Sequence, residues 1–318
     1  MRAPRRWVHS APAPVRFAWN VGGEAFARLR RHGYAVVDNA MPEETARALR
    51  QEMIRAAVEQ TSLLSANATI LVRDRDRVLV PKRGIAELDL ASPTVAQQLP
   101  VLSGFAADAT LAEAVRYGLG GRREVVRQTV KAQINFGGGA CFPMHFDTHE
   151  GVDTRFLTAI VYLNEGYEAG RDGGQLRLYP FPSASVDVEP VFNRCVMFSS
   201  PFCLHRVLPS RTERLCFTIW LWDGTGVGAG EPPAASAPPG NAVTEIQKYL
   251  LHPRRRALLA KLHYAEEWER SIVESHDDNE QTRALIQAHR NDVHRIKSAL
   301  GHHLTMLLKM PKPDLQWF

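Results

Sequence analysis

The sequence predicts an α+β protein: a double-stranded β-helix (jelly-roll) core with flanking N-terminal helices and a C-terminal helical tail. Residues 124–223 carry six or more short strand signals separated by Gly, Pro and Asn. Residues 24–120 mix helical and strand patterns, and the chain beyond residue 241 turns helical. A barrel-like core suits so many short strands because closure of the sheets removes their exposed edges.

The N-terminal part is expected to be a mixed α/β support for this core. The apolar run over 33–39 predicts a strand, and a helix is predicted over 42–59 with acidic residues at its start. A second helix is predicted over 107–119, capped by Asp108 or Thr110. Between them, alternating Arg and Asp over 73–77 indicate a solvated face, with a substrate-gripping loop as the alternative.

The remaining segments complete the predicted domain organisation. Residues 1–23 hold four arginines and no acid, which indicates a disordered basic leader, with a transit peptide as the alternative. Residues 24–223 form the jelly-roll domain with its α/β support, and the Gly-, Pro- and Ala-rich residues 224–241 form a linker. Residues 242–318 predict one or two helices, with a solvated start and surface histidines, that pack on the barrel or mediate oligomerisation.

His145 and Asp147 form the most informative motif of the chain. They follow the helix-breaking glycines 137–139 in an aromatic, proline-marked stretch that predicts a strand. On a strand, residues i and i+2 point to the same side, so the two side chains can share a metal ion. The same spacing recurs in His276 and Asp278, but there it lies between helical patterns, where such side chains diverge.

His205 is the candidate third ligand, and Arg214 follows it nine positions later. Two imidazoles and one carboxylate hold non-haem Fe(II) and leave coordination positions open. A turn over 209–213 lets the chain fold back, so both side chains can face one interior. A buried guanidinium needs an anion, and a substrate or cofactor carboxylate fits; the alternatives are a salt bridge from Arg214 to Glu213 and Arg211 in its place.

Over about residues 128–222 the chain resembles the 2-oxoglutarate and Fe(II)-dependent dioxygenases, in particular the prolyl 4-hydroxylase-like group. The matching pieces are Ile134-Asn135-Phe136-Gly137-Gly138, His145-Phe146-Asp147, Val161-Tyr162-Leu163-Asn164, Gly173-Gly174-Gln175-Leu176, His205 and Arg214. The resemblance implies that His145, Asp147 and His205 bind iron and are the catalytic residues. It also implies that Arg214 binds the C5 carboxylate of 2-oxoglutarate and that Tyr162 hydrogen-bonds the same co-substrate. Phe136 departs from the pattern, since the family commonly has Tyr there.

The implied activity is hydroxylation of a C–H bond with Fe(II), 2-oxoglutarate and O₂, releasing succinate and CO₂. A prolyl residue of a peptide or protein is one expected substrate, and a small molecule hydroxylated by the same chemistry is the alternative. An open groove lined by residues 70–90 would suit a chain, whereas a closed pocket would suit a small molecule. A catalytically silent jelly-roll used as a binding module is the alternative from another class.

Composition excludes several other classes. No run of about 18 apolar residues occurs, so no membrane span is expected. The net charge of +5 is too modest to indicate nucleic acid as a partner. The four cysteines lie in apolar strand contexts without a C-x-x-C pair, which indicates buried free thiols in a reducing compartment rather than zinc. A cytoplasmic protein is therefore expected.

Overall fold

A computed structural model describes residues 17–73, 76–121, 123–148, 153–224, 250–309, 315 and 317–318. Most of the predicted leader and nearly all of the predicted linker lie outside these described residues. The division of the chain into leader, barrel, linker and tail therefore stays a prediction. None of the described helices is long and apolar enough to cross a membrane.

The N-terminal support contains five helices. They are α1 (Gly23–His32), α2 (Glu43–Glu59), α3 (Pro93–Gln98), α4 (Pro100–Ala107) and α5 (Thr110–Gly118). The helix predicted over 107–119 is thus shorter, because α4 ends at Ala107 and the next helix, α5, begins only at Thr110. The Asp108 carboxylate accepts the backbone N–H of Thr110 at 3.1 Å, which satisfies a free donor at the new helix start.

Eleven strands in the described residues form two antiparallel sheets. The strands are β1 (Tyr34–Val37), β2 (Leu64–Arg73), β3 (Asp76–Leu88), β4 (Val125–Asn135), β5 (Ala140–His145), β6 (Arg155–Tyr162), β7 (Leu176–Tyr179), β8 (Val186–Val188), β9 (Cys195–Ser199), β10 (Leu204–Ser210) and β11 (Arg214–Asp223). One sheet has the order β1-β9-β6-β11-β4-β3-β2, and the other has the order β5-β10-β7-β8. Apolar residues of both sheets pack together in one core, as in the predicted jelly-roll.

Strand β11 illustrates how the large sheet separates the core from the site. Its odd-numbered residues, from Leu215 to Leu221, pack with the N-terminal helices. Its even-numbered residues, from Arg214 to Trp220, face the space between the sheets. Both faces of the strand are buried, so its sequence is almost continuously apolar. Its few polar residues mark the face that points to the space between the sheets.

Residues 74 and 75 of the charged run over 73–77 lie outside the described residues, so its predicted solvated face stays a prediction. Strand β2 ends at Arg73, and β3 begins at Asp76. In the β2–β3 hairpin Arg73 and Asp76 are paired in register. The hairpin forms the edge of the large sheet and extends to the C-terminal helices, where Arg83 donates to the Glu274 carbonyl at 2.5 Å.

Beyond the linker the described chain forms three helices rather than the predicted one or two. They are α7 (Pro253–His263), α8 (Ala265–Ser275) and α9 (Glu280–Leu307), following the short helix α6 (Ala169–Asp172) in the barrel. Helix α9 begins where the Asn279 side chain accepts the N–H of Thr282 at 2.9 Å. Helix α8 packs on β5, and the Met144 N–H donates to Ser271 Oγ at 2.9 Å.

Two predictions about the tail surface are wrong. Arg256, expected at a solvated helix start, is 1% exposed and lies 4.3 Å above the Trp317 ring. His289, expected on the surface, is 7% exposed and stacks on Trp268. Both side chains are covered by partners from other elements, which local polarity does not reveal.

The chain end is also packed against the N-terminal support. Gly33, between α1 and β1, has a φ of 79°. A Cβ on this residue would lie 2.3 Å from the Trp317 ring. Glycine is required here for both the left-handed turn and the close approach of the indole.

Candidate metal and co-substrate site

His145, Asp147 and His205 converge at the open end of the space between the sheets. Strands β5 and β10 pair His145 directly with His205, and Asp147 follows two residues after His145. Asp147 Oδ1 lies 3.5 Å from His145 Nε2 and 3.7 Å from His205 Nε2. The three ligand atoms lie within 4.8 Å of one another, so they could hold one metal ion.

Both imidazoles are oriented by the same local device. His145 Nδ1 lies 2.8 Å from the Pro143 carbonyl oxygen, and His205 Nδ1 lies 3.1 Å from that of Cys203. A carbonyl only accepts hydrogen bonds, so each Nδ1 carries the proton and donates it. Each Nε2 therefore presents its lone pair to the shared point, as metal ligation requires.

The charge states of the buried ligands suit a cation. Burial, reinforced by the neighbouring His145, lowers the pKa of His205 to about 4, so its imidazole is neutral at physiological pH. Burial alone would raise the pKa of Asp147. The two histidines and the Thr158 hydroxyl outweigh this effect and hold that pKa well below its ordinary value. The site thus offers two imidazoles and one carboxylate, the donor set expected for Fe(II).

Two side chains from the large sheet hold the Asp147 carboxylate. Thr158 Oγ1 on β6 and Trp220 Nε1 on β11 both donate to Oδ2, the latter at 3.1 Å. Oδ1 therefore remains directed toward the two histidines. These supporting residues were not singled out from the sequence, although Trp220 lies on the same even-numbered face as Arg214 and could have been found by extending that alternation.

Arg214 lies deeper in the same cavity, which we call the inner cavity. It is lined by the three ligands together with Gln133, Phe142, Thr158, Ile160, Leu176, Val207, Arg214, Cys216, Thr218 and Trp220. Arg214 is 3% exposed; its Nε donates to the Gly174 carbonyl at 3.0 Å and its Nη1 contacts Cys216 Sγ at 3.2 Å. Its Nη2 has no hydrogen-bond partner among the described residues.

This arrangement fits an anionic co-substrate. Within the described chain no carboxylate is paired with Arg214, so the alternative salt bridge to Glu213 is absent there. The competing Arg211 instead donates from the turn to the carbonyls of Gly170 and Arg171. Burial of a guanidinium with an unused hydrogen-bond donor costs free energy unless an anion binds to it. A carboxylate of 2-oxoglutarate would accept this hydrogen bond and balance the charge.

Tyr162 lies beneath the guanidinium rather than on the wall of the inner cavity. The Arg214 Cζ lies 4.9 Å from its ring centroid, a distance typical of cation–π contact. The ring is fully buried, burial raises the pKa of Tyr162, and its hydroxyl has no hydrogen-bond partner among the described residues. In the structure, Tyr162 thus supports the guanidinium of Arg214. Phe136, in contrast, is 50% exposed.

The second His-x-Asp pattern does not form a metal site in the described residues. His276 follows α8 and is 2% exposed. Its Nδ1 lies 3.1 Å from the Ile272 carbonyl oxygen, and its Nε2 lies 2.9 Å from Thr69 Oγ1 on β2. His276 therefore joins the C-terminal helices to the hairpin, a contact that the sequence did not predict.

Comparison with known proteins agrees with this geometry. The family model for the 2OG-Fe(II) oxygenase superfamily matches residues 131–222. The prolyl hydroxylase EGLN3 of Mus musculus is 39% identical over 102 residues, which cover 31% of this chain and 42% of that protein. The hypoxia-inducible factor prolyl hydroxylase of Caenorhabditis elegans is 38% identical over 89 residues. The chain thus aligns with less than half of the length of these curated relatives.

Solved structures extend the likeness beyond the barrel. A prolyl 4-hydroxylase from Phytophthora capsici has 28% identity, a TM-score of 0.71 and coverage of 91% of both chains. A prolyl-4-hydroxylase from Pseudomonas putida has 26% identity and a TM-score of 0.50, and it covers 63% of this chain and 98% of its own. The jelly-roll fold is confirmed, and the chain, whose residues 131–222 match the model of the 2OG-Fe(II) oxygenase superfamily, is similar to prolyl hydroxylases.

Proposed function

We propose that this protein is a 2-oxoglutarate- and Fe(II)-dependent dioxygenase that hydroxylates a prolyl residue of a peptide or protein. The observation that carries the proposal is the combination within one cavity of the three ligands and Arg214, a buried cation without a carboxylate partner in the described chain. The three ligands would bind the metal ion, and the guanidinium of Arg214 would bind the co-substrate. A catalytically silent barrel would have no use for a buried Asp147 carboxylate beside two converging imidazoles.

In the proposed reaction, 2-oxoglutarate, O₂ and a C–H bond give succinate, CO₂ and a C–OH group. One oxygen atom enters succinate and the other enters the product. Bound Fe(II) supplies the redox chemistry that activates O₂ for this transfer. His145, Asp147 and His205 would hold the ion, and the unused donor of Arg214 would bind the distal carboxylate of 2-oxoglutarate.

The supporting residues orient these groups. Thr158 and Trp220 hold Oδ2 of Asp147, so that Oδ1 is free to bind the metal. The ring of Tyr162 supports the guanidinium. A hydrogen bond from its hydroxyl to the co-substrate stays a prediction, because Tyr162 does not line the inner cavity. The apolar side chains of Phe142 and Ile160 restrict water around the reacting groups.

A peptide substrate is supported by the named activities of the relatives. EGLN3 is a prolyl hydroxylase, and a prolyl hydroxylase from Trichoplax adhaerens, which shares the fold at 21% identity, was solved with a hypoxia-inducible factor peptide. The alternative of a small-molecule hydroxylase uses the same metal site and differs only in what occupies the mouth of the barrel.

We also propose a cytoplasmic location. All four cysteines are buried and free, as expected in a reducing compartment. Oligomerisation through the C-terminal helices stays a prediction, although α8 already uses one face to pack on β5 of its own chain.

The proposal is tested by incubating the protein with Fe(II), 2-oxoglutarate, O₂ and a library of prolyl peptides. We expect iron-dependent succinate and a peptide heavier by one oxygen atom. His145→Ala should give neither product, because one of the three ligands is missing. Succinate release from a mixture of free metabolites but from none of the peptides would favour the small-molecule alternative. Absence of both iron binding and succinate would favour a silent barrel.

A further inference from the structure

A second cavity opens beside the metal ligands, and the C-terminal helices form one of its walls. We call it the outer groove; its volume is about 620 Å³, within the range of about 300–1,000 Å³ typical of ligand sites. On the barrel side it is lined by His145, Phe146 and Phe202. His145 also lines the inner cavity, so a molecule in the outer groove would lie against the proposed metal site.

The opposite wall comes from helices α7 and α9. Leu258 of α7 and Ile296 and Leu300 of α9 contribute apolar surface, and Leu258 is 42% exposed there. Trp268 of α8 also lines the groove, and its position is set by stacking on the buried His289. The lining residues therefore come from the barrel mouth and the C-terminal helices, and none of the described residues between 70 and 90 is among them, although those residues were expected to line a chain-binding groove.

The polar rim of the groove carries excess positive charge. Lys261 and Arg295 both form ion pairs with the same carboxylate, that of Asp292. Arg254 contributes a third cationic side chain to the lining. Two of the lining cations, Lys261 and Arg295, thus share one carboxylate, and the Arg295 side chain is 77% exposed and accessible to a ligand. Such a rim attracts anionic groups and repels cationic ones.

We propose that α7–α9 form the substrate-recognition wall of this enzyme and that the outer groove binds an acidic peptide segment. Apolar side chains of the segment would pack on Leu258 and Ile296, and its carboxylates would meet Lys261 and Arg295. The target residue would then lie beside His145. This inference rests on the proposed function, because it assigns a substrate class to the same site.

The groove suits a peptide because it combines an apolar floor with a charged rim. Its apolar surface is supplied by α7, α9 and the barrel mouth together, and its volume of about 620 Å³ accommodates several side chains. The excess of cations selects for acidic residues flanking the target, and it makes the interaction weaker at high salt.

Three fluorescent prolyl peptides of equal length, flanked by Glu, Gln or Lys, provide the test. Their binding to the full chain loaded with Mn(II) and 2-oxoglutarate is measured by anisotropy, so that binding does not depend on turnover. We expect affinity to fall in the order Glu, Gln, Lys. Arg295→Glu should weaken the Glu peptide by about tenfold or more, since one rim charge is reversed.

Matched controls come from the same helix. Arg290 is also paired with a carboxylate, that of Glu269, but it does not line the outer groove. Arg290→Glu should therefore leave peptide affinity unchanged. Ala299→Trp places a large side chain in the groove and should abolish binding of the Glu peptide, whereas Ser298→Trp, one position away and outside the lining, should not.

Release of succinate from 2-oxoglutarate without peptide tests the proposed dioxygenase function separately from the proposed binding of an acidic peptide. It should be the same in wild type, Arg290→Glu and Ser298→Trp, because these changes touch neither the metal ligands nor the outer groove. Failure of the wild type to bind Mn(II) or to release succinate would overturn the proposed function. Normal metal binding with equal affinity for the three peptides, or binding to none of them, would overturn the acidic-peptide inference alone.

Discussion

At the scale of single residues, the two carboxylate oxygens of Asp147 have different partners. Oδ2 is engaged by Thr158 and Trp220, and Oδ1 faces the imidazoles. Removing the Trp220 donor lets the carboxylate rotate away from the metal. We therefore expect Trp220→Phe to weaken metal binding by about 10- to 100-fold, the usual effect of losing such a partner.

A calorimetric titration with Mn(II) measures this change. Trp222→Phe is the matched control, because the Trp222 ring lies two residues along the same strand and contacts Arg127 and Arg155. Equal metal affinities of the two variants would show that the hydrogen bond to Asp147 does not orient the ligand.

Arg214 leads to a different expectation. Its guanidinium lies inside the cavity but does not contact the three ligands in any described hydrogen bond. Arg214→Ala should raise the KM for 2-oxoglutarate by about 10- to 100-fold, because a charge-assisted contact is lost. Metal affinity should be nearly unchanged.

Steady-state succinate kinetics and a Mn(II) titration separate these effects. Arg211→Ala serves as the control, since Arg211 is held by carbonyls in the turn outside the cavity. A larger loss of activity in this control than in Arg214→Ala would exchange the roles of the two arginines.

At the scale of elements, His276 fastens α8 to the β2–β3 hairpin. Burial, helped by Lys82 and Arg83, lowers the pKa of His276 despite its hydrogen bond to the Ile272 carbonyl and the nearby Asp277. The unfolded chain therefore binds more protons than the folded one below the ordinary histidine pKa of about 6.5. The contribution of this residue to stability is complete above that pH and is lost as the pH falls below it.

We expect His276→Gln to have a flatter dependence of the free energy of unfolding on pH than the wild type. Urea unfolding at pH 7.5 and pH 5.5 gives the comparison. His294→Gln, an exposed histidine on α9, should follow the wild type. An equal loss of stability in wild type and His276→Gln on acidification would mean that His276 is not held neutral in the fold.

The elements also differ in how far the sequence predicts them. Helix α2 and strand β1 were predicted closely, because each shows a clear pattern of apolar residues in its segment. The three-helix tail and the break between α4 and α5 were missed, since single residues such as Asn279 and Asp108 decide where those helices begin.

At the scale of the whole molecule, the proximity of the three candidate ligands was predictable only in part. Strand alternation was expected to place His145 and Asp147 on one side, but β5 ends at His145 and Asp147 lies in the bend that follows it. The pairing of β5 with β10 brings His205 beside His145. The outer groove was not predictable, because α7 and α9 are brought to the barrel mouth by tertiary packing. The burial of His289 and Arg256 has the same origin, since Trp268 and Trp317 lie far from them along the chain.

The central claim is that one ferrous ion is bound by His145, Asp147 and His205. Its most direct test is an anaerobic titration of metal-free protein with Fe(II), with bound iron counted per chain. We predict one ion per chain in the wild type and in Arg214→Ala, and none bound tightly in His145→Ala, Asp147→Ala or His205→Ala. Full, tight binding of iron by Asp147→Ala, or none by the wild type, would contradict the account.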